Sequence, residues 1–81
     1  RKWLKDLRTK ANLSQDELSK KMNISQNYYS SIELGERQKD LSLSLIVKIS
    51  EIFGVTFKWI ADQEQKEQGD EMQKQEETIK K

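Results

Sequence analysis

The sequence predicts an all-α fold, five short helices around one compact core followed by a polar extension. Two observations carry that prediction. Apolar residues return at helical spacing, segment by segment, from Trp3 to Ala61. The segments also carry their own punctuation: hydroxyl caps at Ser14, Ser25 and Thr56, and stop residues at Asn12, Asn23, Gly35 and Gly54.

Leu4, Leu7 and Ala11 form the apolar side of a first helix, with Lys5, Asp6 and Lys10 off it and Trp3 able to pack beside Leu7. Asn12 suits the left-handed residue that ends it. "SQDE" at 14–17 is a capping box, and Leu13 before it takes the staple position opposite Leu18. The second helix runs through Leu18 and Met22 to Asn23, which tolerates a left-handed turn. Ser25 caps a third helix and Gly35 stops it. A polar loop covers 36–41. From Ser42 a strongly apolar helix carries Leu45, Ile46, Ile49, Ile52 and Phe53, and ends at Gly54. Thr56 caps a fifth helix, with Phe57, Trp59, Ile60 and Ala61 as its buried part.

Beyond Asp62 the composition collapses to Gln, Glu, Lys and Asp, with only Met72 and Ile79 apolar, so no sustained heptad exists. The pairs Asp70–Lys74, Glu76–Lys80 and Glu77–Lys81 favour a solvated helix, which Gly69 weakens. The expected division is therefore a domain at 1–62 and a polar, charged extension at 63–81, helical or disordered. Arg1 in place of a methionine suggests that the numbering starts inside a longer chain.

Composition removes several classes of chemistry. Neither cysteine nor histidine is present, so disulfides, thiolate nucleophiles, Cys-based metal sites and imidazole bases are out of reach. No clustered Asp spacing of the kind Mg²⁺ or Ca²⁺ loops need is visible, and no cofactor is expected. Tyr, Lys, Asp and Glu remain, but nothing assembles them to position a substrate, so the chain is not expected to be an enzyme. No apolar run approaches a membrane span and no signal peptide is apparent, which points to an intracellular protein with no membrane partner. Residues 1–57 hold ten Lys and Arg against seven Asp and Glu, and residues 58–81 hold five against seven. Positive charge serving a nucleic acid would therefore have to be placed locally.

The third helix is unusual in a chain that is 36% charged. "NISQNYYSSIELG" carries no charge before Glu33. Wound at about 100° per residue, it puts Tyr29 and Ile32 on one face, continuing the apolar set Leu18, Met22 and Ile24. The opposite side shows Gln26, Asn27, Ser30, Ser31 and Leu34, with Tyr28 at its margin. Solvated faces elsewhere are Lys- and Glu-rich, as in "SKK" and "KISE". A face of amides and hydroxyls suits hydrogen bonding to base edges better. The turn of about three residues before it has the length of a helix-turn-helix.

Residues 4–61 resemble the helix-turn-helix domain of the phage-repressor class, the Cro and XRE-type family with its lambda-repressor-like fold. The stretch "LKDLRTKANLSQDELSKKMNISQNYYSSIELGER" is similar to it almost throughout, and "FGVTFKWIAD" resembles the opening of the family's fifth helix. Leu18, Met22, Ile24, Tyr29 and Ile32 occupy the motif's apolar positions, and Ser19 the position needing a small residue. Asn23 replaces the usual turn glycine. The segment 36–41 is longer than usual and lacks the common proline.

The resemblance implies roles for particular residues. Gln15 would bind a phosphate and brace the start of the recognition helix. Ser25, Gln26 and Asn27 would enter the major groove, with Ser25 also a cap, and Ser30 and Ser31 would reach bases or phosphate. Tyr28 matches a position touching the sugar-phosphate backbone. Arg37 and Lys39 would clamp phosphates, or are ordinary loop charges. Trp59 is core or, with Phe57, a dimer contact. Arg8 and Glu33 match an ion pair linking the first and third helices.

The implied function is sequence-specific binding of double-stranded DNA by a homodimeric transcriptional repressor at an inverted repeat. The setting would be the cytoplasm of a bacterium, or a phage gene product there, on the nucleoid. The alternative is an antitoxin-type module that binds a partner protein through its extension while repressing its own promoter. Arg bidentate to guanine is the commonest specific contact, whereas Asn and Gln suit adenine. The expected result of a binding-site selection is A·T at the pairs nearest Gln26 and Asn27; G·C at both would defeat the assignment.

Overall fold

Side-chain caps fix where four helices begin, at Ser14, Ser25 and Thr56 as the sequence predicts and at Ser42 besides. The Ser14 hydroxyl accepts the Glu17 N–H at 3.0 Å while the Glu17 carboxylate accepts the Ser14 N–H at 3.0 Å. Ser25 accepts from the Tyr28 N–H at 3.1 Å, Ser42 from Leu45 at 3.3 Å, and Thr56 from Trp59 at 3.0 Å. In this computed structural model, which describes residues 1–67, the result is α1 (Lys2–Lys10), α2 (Gln15–Lys21), α3 (Gln26–Glu33), α4 (Leu43–Phe53) and α5 at 57–67. The described residues contain no strand.

The helix ends follow the same local rules. Asn12, Asn23, Gly35 and Gly54 all take positive φ, at 58°, 59°, 78° and 68°. Gln38, which no sequence rule singles out, joins them at 56°. Lys48 of α4 donates to the Met22 carbonyl at 2.7 Å, placing a cation at the C-terminal end of α2.

The core gathers Trp3, Leu4, Leu18, Met22, Tyr29, Ile32, Leu45, Ile49 and Ile60. Ser19 is buried between α2 and its neighbours, its hydroxyl turned back onto the Asp16 carbonyl at 2.7 Å. Periodicity overreached at two places. Ala11 is exposed, because it caps α1 instead of lying within it. In α5 only Ile60 is fully buried, while Phe57 and Ala61 are exposed. The stripe of α5 that meets the domain is Ile60, Gln63 and Glu64; Ala61 falls off it and Phe57 flanks it in the first turn. Trp59 is half-buried and stands edge-on to Trp3, with ring centroids 5.9 Å apart at 82°.

Helix α5 runs unbroken past Asp62 to 67. The pairs Asp70–Lys74, Glu76–Lys80 and Glu77–Lys81, together with Gly69, Met72 and Ile79, lie outside the described residues. No helix among those described is long and apolar enough to cross a membrane. Losing a cap hydroxyl costs about 1 kcal/mol, so Ser14→Ala should lower the melting temperature by roughly 4–8 °C. A thermal melt followed by circular dichroism checks this; an unchanged curve would deny the capping box any share in stability.

Candidate nucleic-acid interface

Helix α3 presents two unlike sides. Tyr29 and Ile32 are wholly buried, whereas Gln26 and Asn27 in the first turn are exposed, next to an exposed Ser25. Leu34 is 68% exposed at the far end of the same outer side. Ser30 and Ser31 are half-buried, and the Ser31 hydroxyl donates back to the Tyr28 carbonyl at 2.8 Å. Tyr28 is half-buried at the core's margin. Ser25, Asn27, Tyr28, Ser31 and Arg37 line one concavity, together with Glu36. Lys39 is not brought to it; it borders a second hollow beside Arg1, Gly35, Glu64 and Glu67.

What holds α3 at this attitude is a carboxylate. Glu33, its last residue, has a side chain only 7% exposed. Arg8 of α1 grips it with two nitrogens, Nε to Oε2 at 2.9 Å and Nη2 to Oε1 at 3.2 Å, and spends Nη1 on the Leu13 carbonyl at 2.9 Å. The Tyr29 hydroxyl donates to Glu33 at 2.5 Å and the Gln15 amide at 3.3 Å. Gln15 thus braces the end of α3 and not its start, because the first residue of α2 lies nearest Glu33. Burial pushes the Glu33 carboxyl up, but the hydrogen bonds from Arg8, Tyr29 and Gln15 outweigh it and hold it below the usual carboxylate range. The hydrogen bond to Glu33 raises Arg8, and burial raises Tyr29.

The ion pair was implied by the resemblance; Tyr29 and Gln15 as its other members were not, although Tyr29 and Glu33 stand four apart on one helix, the spacing of facing side chains. The sequence also concealed a second set of contacts. Arg1 donates to the Ile32 carbonyl at 2.7 Å, to the Gln38 carbonyl, and to Glu64 at 2.9 Å. Glu64 further accepts the Trp3 indole N–H at 2.8 Å, and Glu67 accepts the Trp3 backbone N–H at 3.0 Å. Helix α1 has no acidic residue in its first turn and no side-chain cap of its own. Glu67 of α5 supplies one. An uncapped helix start was the available signal.

A family model described as Helix-turn-helix matches residues 4–60. The chain belongs to this helix-turn-helix family, in the Cro and XRE class. No curated protein and no solved structure matches the chain. Membership makes the helix-turn-helix chain a DNA-binding transcription regulator in general terms, and α2 and α3 both lie within the matched span.

The depressed Glu33 carboxyl has a pH signature. Its contribution to stability is full above the ordinary carboxylate value of 4.5 and is lost as pH falls through the lower folded value. Glu33→Ala strands Arg8 against the core and should cost the helix-turn-helix domain about 3 kcal/mol at neutral pH, with duplex affinity falling alongside. Chemical unfolding at a series of pH values should show the gap to wild type narrowing below 4.5; a gap that stays constant would remove the carboxylate from the account.

Proposed function

We propose that the chain reads duplex sequence as a homodimer and represses transcription by occupying an inverted-repeat operator, so that RNA polymerase is excluded or repositioned. One observation carries the reading: the first turn of α3 offers the Gln26 and Asn27 amides to solvent while Tyr29 and Ile32 anchor the opposite side at zero exposure. An amide holds both a donor and an acceptor, which is what an adenine edge requires. Ser25, Ser30 and Ser31 border this face. Gln15 keeps an amide at the N-terminal end of α2, where backbone N–H groups favour a phosphate.

Arg37 shares a concavity with Ser25, Asn27 and Tyr28, and serves as the phosphate clamp next to the reading face. Lys39 adds positive charge further along the loop. Phe57, 51% exposed at the start of α5, supports a two-fold contact there, with half-buried Trp59 behind it.

A binding-site selection with the purified chain should return an inverted repeat with half-sites about 34 Å apart. Gln26→Ala and Asn27→Ala should each lose about 1–3 kcal/mol of discrimination. Arg37→Ala should instead weaken all duplexes alike and reduce the salt slope by about 1. A chain that ignored every duplex in dilute buffer would defeat the proposal.

A further inference from the structure

Among the described residues three that are not glycine hold a positive φ: Asn12, Asn23 and Gln38. Asparagine visits this region readily; glutamine does not, and glycine would sit there without steric cost. At Gln38 the side chain accounts for the choice. Its Nε2 donates to the Tyr28 hydroxyl oxygen at 2.7 Å, and its Oε1 accepts the Ser42 backbone N–H at 3.1 Å. A backbone N–H can only donate, so the amide oxygen must face Ser42 and the nitrogen must face Tyr28. The Tyr28 oxygen is therefore an acceptor in this bond. Its own hydrogen is directed elsewhere, and no acceptor among the described residues takes it.

Tyr28 lines the concavity shared with Ser25, Asn27, Ser31, Glu36 and Arg37. Given the duplex-binding reading, on which this step rests, we infer that Gln38 is a positioning residue: it turns the Tyr28 hydroxyl so that its hydrogen is offered to a phosphodiester oxygen beside the groove. The loop 36–41, longer than its relatives' by resemblance, is then part of the DNA-contacting apparatus through its amide as well as its cations.

The test is a double-mutant cycle on the full chain, using a selected duplex and a scrambled duplex of equal length, with melting recorded for each protein. Gln38→Gly keeps the left-handed backbone and removes the amide. It should melt close to wild type yet bind both duplexes about threefold to tenfold more weakly. Gln38→Asn, which keeps the backbone preference but withdraws the amide, should do the same. In a Tyr28→Phe background neither substitution should weaken binding further. Equal losses in both backgrounds, or no loss in either, would overturn the inference while leaving duplex binding intact. A loss confined to the selected duplex would overturn it too, by placing the contact on a base edge. A wild-type chain that bound neither duplex would overturn the proposed function itself.

Discussion

A carboxylate enclosed by the domain is the constraint on which the rest depends. Glu33 can stay ionised at 7% exposure only if its lone pairs are filled, and Arg8, Tyr29 and Gln15 fill them. These partners come from α1, α3 and α2. Three helices are therefore held in register by one group that tolerates little displacement. Paired charges of this kind add modest net stability because both are stripped of water, and their effect is on geometry. Here the geometry concerned is the roll of α3 about its axis, which decides whether Gln26 and Asn27 or some other pair faces outward.

The lack of charge on that face follows from the same division of labour. Lys and Glu keep a helix soluble but can each only donate or only accept, and their long stems hold no fixed direction. Amides and hydroxyls do both at short reach. On the proposed reading, Arg37 and Lys39 of the loop after α3 make the phosphate contacts, set apart from the face that meets base edges. On that reading, phosphate contact and sequence reading fall to different elements.

Most of this fold was legible because its rules are local. Ser14 with Glu17, Ser25 with Tyr28 and the asparagines at 12 and 23 are decided within one turn of chain, and the structure realises each. The ion pair between Arg8 and Glu33 was reached through family resemblance, since 25 residues separate the partners. What stayed hidden lies further apart. Trp3 meets Glu64 and Glu67 across 61 and 64 residues, and nothing in a polar run of Gln and Glu marks two carboxylates as partners of a distant helix. Ala11, Phe57 and Ala61 fail for a related reason. Periodicity tells which residues share a face; it does not tell whether anything covers that face.

The loop after α3 is the segment where resemblance was weakest, and it proves to be held tightly. The N–H groups of Glu36 and Arg37 both return to the Ser31 carbonyl, at 2.9 and 3.2 Å, so the loop leaves α3 along a defined path. Arg1 binds the Gln38 carbonyl from one side, and the Gln38 amide bridges Tyr28 and Ser42 on the other. Ordering a loop on binding would consume part of the gross interaction energy. A backbone already fixed between α3 and α4 carries Arg37 with little of that loss. On the proposed function, holding Arg37 beside the first turn of α3 would give phosphate contact and base reading one rigid frame, and with it a single register on the duplex.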